Sequence, residues 1–482
     1  MMKLLLAMFV LAACGESPKD PVAKLEDPAT CLECHQTHHQ QWSASMHAYS
    51  TDDPVFRAME KRGQRETNGA LGTFCIQCHA PMAVALGTVT ADNAKDFDLS
   101  TLPTEQKGIT CYFCHNVESI KDDHNNGLVL AMDQTMRGGA TKPVSSPAHD
   151  SKYDPMMASA TNNSQMCGSC HDVITPRGIA LERTYTEWKG TIFSHDDPAN
   201  LLPLTCSGCH MQSKPGEDVI ADKPGLNVPA RHNGYHEHLW PAIDESLTPA
   251  LPGGDVLSAG IARDLSPAIT IVGPTPTGGT AAQARGGICV TPQSGGQITV
   301  RIDSRGTGHM WPSGAAQDRR AWLELIAYDA SNNIVFQTGV VPDDKDPEEI
   351  ADPNLFPMWD FTFKDDNTPA HFFWDVARED PSHLIRPPVT LVQTDPAFDH
   401  SSTATFMVPN ATVTIDHITA RVRIRPLSLR MLDDLVTSGD LDAGIAAQVK
   451  TLEITSTQRT WNKATGAIGA GNADGCNPNQ FN

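Results

Sequence analysis

Five copies of the pattern Cys-x-x-Cys-His lie in the first half of this 482-residue chain. This spacing is typical of covalent c-type haem attachment, in which two thioether bonds hold the porphyrin and the histidine binds the iron. Zinc knuckles and disulfide loops are the alternatives, but zinc-binding histidines normally lie several residues from the cysteine pair, and disulfide loops do not need them. The pattern predicts five haem c groups, attached at Cys31 and Cys34, Cys75 and Cys78, Cys111 and Cys114, Cys167 and Cys170, and Cys206 and Cys209, with His35, His79, His115, His171 and His210 as proximal ligands.

A low-spin haem also needs a second, distal axial ligand, which is histidine or methionine. The chain has 19 histidines, and those outside the motifs are the candidates. His47 follows the first motif, His149 precedes the fourth and His232 follows the fifth. His309 lies far along the chain and would join two domains if it bound iron. For the fifth place we favour His124, and its competitors are His38, His39, His195, His236 and His238; for each candidate the alternative is a solvated surface histidine.

The N-terminus has the features of an export signal. Lys3 precedes an apolar run over residues 4–13, which is typical of a secretory signal peptide and too short to span a bilayer. The segment Leu11-Ala-Ala-Cys14 resembles a bacterial lipobox, which implies cleavage before Cys14 and a lipid on its sulfur; an ordinary signal peptide with an incidental Cys14 is the alternative. By resemblance to lipoprotein sorting, Glu16 favours the outer membrane. We expect a lipid-anchored protein of the cell envelope, on the periplasmic or the cell-surface side.

The formal net charge of the chain is −21, and haem propionates would make it more negative. This charge excludes nucleic acid as a partner, because phosphate binding needs a basic surface. It predicts attraction to basic redox proteins or cationic mineral surfaces. Contact with a membrane is expected through the N-terminal lipid only.

Two cysteines, Cys289 and Cys476, remain after haem attachment and Cys14 are accounted for. In an oxidising compartment such a pair is most simply a disulfide. Two separate buried thiols are the alternative.

The order of motifs and composition predicts an α+β multidomain protein. Residues 31–245 carry every haem motif and contain too little chain per haem for an ordinary side-chain core, so we expect short helices and loops packed around the haems. After a Pro- and Gly-rich stretch, alternating apolar residues and turn signals predict an antiparallel β-sandwich. The predicted segments are a signal peptide over 1–13, a lipidated tether over 14–30, a pentahaem domain over 31–245, a linker over 246–285 and the β-sandwich over 286–482.

The haem-bearing domain resembles cytochrome c-554-type multihaem proteins. In that family a tryptophan-serine histidine and a late Arg-His histidine are distal ligands, which implies these roles for His47 and His232. The loop of His309, with the following Arg319-Arg320-Ala-Trp-Leu strand, resembles the β-sandwich appended to some of these cytochromes. The resemblance rests on Trp42-x-x-Ser45-x-His47, Gly108-Ile-Thr-Cys111, His171-Asp172-Val173, Glu187-Trp188 and Arg231-His232.

The expected function is electron transfer between redox partners at the cell envelope, with extracellular electron transfer as one setting. Other multihaem cytochromes or quinol oxidoreductases are the expected partners. The alternative is an oxidoreductase acting on a small nitrogen or sulfur compound at one haem with an open distal side. Tyr112, His124 and Asp172 are nearby acid–base groups for such a reaction, but no spacing singles them out, so the sequence favours a carrier over an enzyme. A structural role in a filament is a third possibility.

Overall fold

The computed structural model describes most of the chain between residues 20 and 468. Cys14 and Cys476 lie outside the described residues, so the lipid anchor and the Cys289–Cys476 pairing stay predictions; Cys289 itself is disulfide-bonded. No helix in the described part of the chain is long and apolar enough to cross a membrane. The described residues are 20–158, 163–194, 204–213, 217–221, 223, 225, 227–232, 236–271, 287–291, 296–304, 306–392, 394–464 and 467–468.

The haem-bearing region consists of short helices that begin at side-chain caps. Residues 40–59 do not form one continuous helix, because Ser45 and Asp53 accept hydrogen bonds from Ala48 N and Val55 N and so begin new helices. The helices are α1 Pro21–Glu26, α2 Ala29–Leu32, α3 Gln36–Ser43, α4 Met46–Tyr49, α5 Pro54–Glu66, α6 Ile76–His79, α7 Pro81–Ala85, α8 Cys111–His115, α9 Ser164–Gly168, α10 Thr184–Lys189 and α11 Cys206–His210.

Between these helices lie four two-stranded pairs, β1 with β2, β3 with β4, β5 with β6 and β7 with β8. The apolar clusters of this region are small; one of them contains Ile76, Val89 and Leu99, and another contains Met82, Tyr112 and Phe113. Small clusters are what we expect where prosthetic groups fill the interior. The strands are β1 Val117–Ile120, β2 Leu128–Leu130, β3 Thr135–Gly138, β4 Asp150–Tyr153, β5 Val173–Ile174, β6 Ala180–Glu182, β7 Glu217–Asp218 and β8 Arg231–His232.

The second half forms two five-stranded sheets packed face to face, which confirms the predicted α+β class with a C-terminal sandwich. One sheet has the order β16-β11-β10-β20 with β9 beside β11, and the other has β13-β12-β17-β18 with β19 beside β17. The strands of the two sheets are β9 Ile269–Thr270, β10 Ile288–Thr291, β11 Gln297–Ser304, β12 Arg320–Tyr328, β13 Ile334–Thr338, β16 Ser401–Met407, β17 His417–Arg425, β18 Leu452–Glu453, β19 Arg459–Asn462 and β20 Ala467–Ile468. Strands β14 Phe361–Phe363 and β15 Arg378–Asp380 form a separate antiparallel pair.

The alternating apolar side chains of β11, β12 and β17 meet in one core between the sheets. In the part of the chain described after β16, three α-helices cover the sandwich: α13 Ala411–Thr414, α14 Leu429–Thr437 and α15 Ala443–Ala446. The last two are separate helices, because Gly439 has a φ of +75° and ends the first of them.

The prediction of a linker over 246–285 is wrong for its described part. This part contains a twelve-residue helix, α12 Gly254–Leu265, and strand β9, which pairs with β11. Leu257 and Ile261 of this helix are buried against Ala44 and Leu239 of the haem-bearing region. The composition of the segment, rich in Pro, Gly and Ala, concealed this apolar helix face from sequence analysis. The segment packs against both halves of the chain.

Ion pairs join the sandwich to the haem-bearing region. Arg319 donates to both carboxylate oxygens of Asp244, over 3.1 and 3.0 Å. Arg65 donates to both carboxylate oxygens of Asp440, over 2.7 and 2.6 Å. Such bidentate pairs fix the geometry of both partners, so the two halves present a defined interface.

Candidate haem sites

Every Cys-x-x-Cys-His motif forms a turn of helix. In three motifs the amide of the histidine donates to the carbonyl of the first cysteine, over 2.8 Å for His35, 3.2 Å for His79 and 3.0 Å for His171. The other two motifs are helices α8 and α11, each capped by a threonine. Residues at i, i+3 and i+4 share one face of a helix, so the two thiols and the imidazole of each motif lie on one side. Attachment of one haem needs this arrangement.

Four of the five motif histidines face a second imidazole across a gap. Each partner comes from a different part of the chain, and none belongs to a motif. The ring centroids are 6.2 Å apart in the pairs His35–His149, His171–His47 and His115–His238, and 6.3 Å apart in the pair His210–His309.

The width of this gap fits one iron atom. Two metal–nitrogen bonds of about 2 Å, with each centroid about 1 Å beyond its nitrogen, place two axial imidazoles roughly 6 Å apart. His38 also lies 6.5 Å from His35, but the two rings are inclined by 63°, whereas His149 is inclined by 27°. The residues present therefore fit haem held between paired histidines, with His149 rather than His38 opposite His35.

Backbone carbonyls accept hydrogen bonds from the Nδ1 atoms of most of these imidazoles. Because a carbonyl can only accept, Nδ1 carries the proton and Nε2 keeps the lone pair that binds a metal. The Nδ1···O distances are 2.9 Å for His35 to Ile220, 3.3 Å for His79 to Ser50, 2.5 Å for His115 to Arg137, 3.2 Å for His210 to Pro241, 3.0 Å for His149 to Asp150, 3.0 Å for His238 to His236 and 2.8 Å for His309 to Met310.

In the pair of His171 and His47, neither Nδ1 atom has a described hydrogen bond to a backbone carbonyl. Nδ1 of His171 lies 3.5 Å from a carboxylate oxygen of Glu182, and a carboxylate neighbour makes a ligand imidazole more basic. Nδ1 of His47 is buried and has no hydrogen-bond partner among the described residues. Burial lowers the pKa of His47 to about 3, so this ring is neutral at pH 7, the form in which imidazole binds a metal.

His79 has a different ring neighbour. The phenyl ring of Phe56 stacks on it, with centroids 4.0 Å apart and planes inclined by 6°. Within the described residues no imidazole stands opposite His79 at the spacing of the other four pairs. Burial lowers the pKa of His79 to about 4, so this imidazole is also neutral at pH 7.

The structure places His47, His149 and His309 opposite motif histidines, whereas it places two other predicted ligands elsewhere or leaves them undescribed. His124 lies beside Asp123, with Nδ1 3.5 Å from the carboxylate, and faces no motif histidine. His232 is in β8, but its side chain lies outside what the structure describes. Sequence analysis missed His238 as a leading candidate, because no pattern in the sequence separates it from His236.

Thiols of different motifs are in contact with one another. The sulfur atoms of Cys31 and Cys111, of Cys78 and Cys170, and of Cys167 and Cys206 lie close together. Cys114 of the third motif lies close enough to Cys167 and Cys170 to raise the pKa of both thiols further. The motifs therefore follow one another in space in the order first, third, fourth and fifth, with the second beside the fourth.

The loop that carries His309 is fixed to the haem-bearing region. Oε2 of Glu187 accepts hydrogen bonds from Met310 N over 3.0 Å and from the hydroxyl of Ser313 over 2.8 Å. A Cβ atom on Gly308 would lie 3.3 Å from the Trp188 ring, so the absence of a side chain allows this close approach. An anchored loop of the sandwich thus places the imidazole of His309 opposite that of His210.

Buried carboxyl groups collect near this loop. Burial raises the pKa of Glu187 and of Glu379, and burial together with the nearby Glu379 raises the pKa of Asp360 to about 7. Asp360 Oδ1 and Glu379 Oε2 have no hydrogen-bond partner among the described residues, while Arg183 lies 3.5 Å from Glu379. The domain interface therefore carries three carboxyl groups whose pKa values are raised by burial, and that of Asp360 lies near neutral pH.

Asp360→Asn is expected to stabilise the protein above pH 7 and to change little below pH 4. A carboxyl whose pKa rises from 3.8 to about 7 on folding favours the folded state fully only below pH 4, and that contribution is lost as pH rises to 7. The gain at pH 8 is up to about 4 kcal/mol, since one pKa unit is about 1.4 kcal/mol. Denaturant unfolding at pH 4, 6 and 8 measures it, with exposed Asp92→Asn as the control. An equal effect of Asp360→Asn at all three pH values would contradict the assignment.

Comparisons with known proteins agree with this geometry. The family model "Cytochrome c554 and c-prime" matches residues 30–116, which include the first three motifs. A search of curated proteins gave no match. Among solved structures, the crystal structure of a penta-haem cytochrome c552 from Thermochromatium tepidum matches with a TM-score of 0.57 and 17% identity, over 92% of this chain and 99% of that chain.

At this level of identity the solved structure shows the fold alone, and the family model shows the similarity of the first haem-bearing segment. The resemblance and the haem c cofactor predicted from the motifs are both confirmed. Residues 30–116 match the model of the cytochrome c554 family, and the chain is a multihaem c-type cytochrome with a β-sandwich at its C-terminal end.

Proposed function

We propose that this chain is a pentahaem electron carrier of the cell envelope. The observation that carries the proposal is the set of four imidazole pairs with centroids 6.2 to 6.3 Å apart. When bound, haem supplies reversible one-electron chemistry. The chain supplies two axial imidazoles at each of these centres, which leaves no iron position for a substrate and so favours electron exchange over catalysis.

The contacts between motifs support a continuous route through the chain. Because each thiol joins a haem edge, contact between Cys31 and Cys111 and between Cys167 and Cys206 brings neighbouring centres together. The second motif joins the fourth through Cys78 and Cys170. The fourth motif is therefore the branch point, and the first, second and fifth motifs are the three ends where partners would exchange electrons.

The setting and the partner class form the finer part of the proposal. The apolar segment before Cys14 supports export and a lipid tether. A charge of −21 favours a basic partner surface. The proposed partners are other redox proteins at the envelope, multihaem cytochromes or quinol oxidoreductases, with extracellular electron transfer as one outcome.

The haem count and the partner class are tested on the exported full-length protein. Intact mass after denaturation should exceed that of the polypeptide by five haem groups, and fewer than five would contradict the count. The rate of electron transfer to a basic c-type cytochrome should fall by about tenfold or more as salt screens the attraction. A rate that does not depend on salt would contradict the partner class.

A second candidate function concerns the centre of His79. The ring neighbour described for His79 is the phenyl of Phe56, whereas the other four motif histidines each face an imidazole. We propose an open distal side at this centre as the second candidate, with reduction or oxidation of a small nitrogen or sulfur compound as its activity. His232, whose side chain is not described, is the sequence-predicted ligand that would close it.

Carbon monoxide binding to the reduced protein separates the two functions. One binding site per chain in the wild-type protein, unchanged in His232→Ala, supports an open centre at His79. No binding in the wild-type protein and one new site in His232→Ala would show that His232 is a ligand, and the carrier function would stand alone.

A further inference from the structure

Trp240 contacts distal imidazoles of two different centres. Its ring centroid lies 4.5 Å from that of His47 and 5.2 Å from that of His238. His47 faces His171 of the fourth motif, and His238 faces His115 of the third. A single indole therefore packs against the axial partners of two neighbouring motifs.

His47 depends on this packing more than the other distal candidates do. Nδ1 of His149, of His238 and of His309 each lies within hydrogen-bond distance of a backbone carbonyl. Nδ1 of His47 is buried without a hydrogen-bond partner among the described residues. With no described hydrogen bond to set its rotation, the orientation of this ring is fixed by its van der Waals neighbours, which include the Trp240 ring with its centroid 4.5 Å away.

The backbone at Trp240 is strained in a way that serves this placement. Its φ is +45°, a left-handed conformation that a bulky residue adopts only when its surroundings impose it, at a cost of about 1–3 kcal/mol. The carbonyl of the next residue, Pro241, lies 3.2 Å from Nδ1 of His210. The short segment from His238 to Pro241 thus contacts the axial imidazoles of the third, fourth and fifth motifs: His238 faces His115, Trp240 packs on His47, and the Pro241 carbonyl accepts from His210.

Helix α12 supports this segment from behind. A Cβ atom on Gly260 would lie 2.9 Å from Cδ2 of Leu239 and 3.2 Å from Cβ of Pro241, so the helix backbone is close against both residues. Leu239 is 4% exposed and Leu257 of the helix is 1% exposed. The segment therefore cannot relax away from the histidines without losing this packing.

We propose that Trp240 is a positioning residue shared by two centres, which holds the imidazole planes of His47 and His238 and thereby sets the ligand fields and reduction potentials of those centres together. The inference rests on the proposed function, since it takes the paired imidazoles as axial ligands. Orientation and outer contacts of axial ligands are among the means by which a protein tunes a haem. Trp240 has this role through the histidines and without contact to iron.

The test compares Trp240→Ala, Trp240→Phe and Trp374→Ala by low-temperature electron paramagnetic resonance and by redox titration of the full-length protein. Trp374 is the matched control, because its ring contacts are phenylalanines. In Trp240→Ala, two low-spin signals should shift in g-value and two midpoint potentials should move, while the signals of the other pairs stay in place. In Trp240→Phe, the two g-values and the two midpoint potentials should lie close to those of the wild type. Trp374→Ala should match the wild type.

Unchanged signals in Trp240→Ala would overturn the inference while leaving the electron-carrier function intact. Equal shifts in every signal would also overturn it, because they would indicate a general structural role. A wild-type protein without low-spin bis-imidazole signals would instead contradict the proposed function itself. Intact mass and thermal unfolding of each variant confirm that haem content and folding are retained before the spectra are compared.

Discussion

His309→Ala is expected to convert one low-spin centre of the full-length protein to a high-spin or replaced-ligand state. His309 is the imidazole that faces His210, with ring centroids 6.3 Å apart and planes inclined by 13°. The loop that carries it is anchored through Glu187 to the haem-bearing region, so the substitution should leave the loop in place and remove only the imidazole opposite His210. The reduced variant should bind one more carbon monoxide per chain than the wild-type protein.

The control for this variant is His383→Ala. His383 is an exposed histidine of the same domain, and its described ring contact is with Phe361. It should leave the spectra and carbon monoxide binding unchanged. Identical binding in His309→Ala and the wild-type protein would show that the sandwich supplies no ligand, and its role would be limited to packing.

Asp346→Ala is expected to lower the free energy of unfolding by about 3–5 kcal/mol, the usual cost of leaving one charge of a buried pair alone. Asp346 and Arg425 are both completely buried and lie 2.8 Å apart. Asp346 Oδ2 also accepts hydrogen bonds from the Ser428 hydroxyl and from Arg430 N. The residue therefore ties the end of β17 to the start of α14, next to the interface with the haem-bearing region.

The matched control is Glu453→Ala, which removes the partner of Arg421 in a pair whose side chains are 36% and 38% exposed. Exposed pairs contribute less than about 1 kcal/mol. Denaturant unfolding should therefore separate the two variants clearly. A loss of less than 1 kcal/mol in Asp346→Ala would contradict the buried-pair account.

The haem-attachment residues could be predicted from the sequence because their chemistry is local. Two cysteines and a histidine of one motif lie within one helical turn, so their spacing in the sequence alone predicts their arrangement in space. The distal partners could not be assigned in the same way. His47 follows the first motif in sequence yet faces His171 of the fourth, because a distal ligand approaches from wherever the chain next crosses the opposite face of the haem.

His238 and the segment 246–285 show two further limits of prediction from the sequence. His238 has no pattern that separates it from His236, and only the fold brings it opposite His115. Helix α12 was concealed by a composition rich in Gly, Pro and Ala, although Leu257 and Ile261 give it a buried face. The strands of the sandwich were predictable, because β11, β12 and β17 alternate or continue in apolar residues over their whole length.

The central claim is that this chain holds irons between paired imidazoles, and quantitative low-temperature electron paramagnetic resonance of the oxidised full-length protein tests it most directly. The account predicts four low-spin ferric centres per chain with the g-values of bis-imidazole ligation, assigned to the pairs that contain His35, His115, His171 and His210. Fewer than four such centres, or a spectrum dominated by high-spin iron, would contradict it.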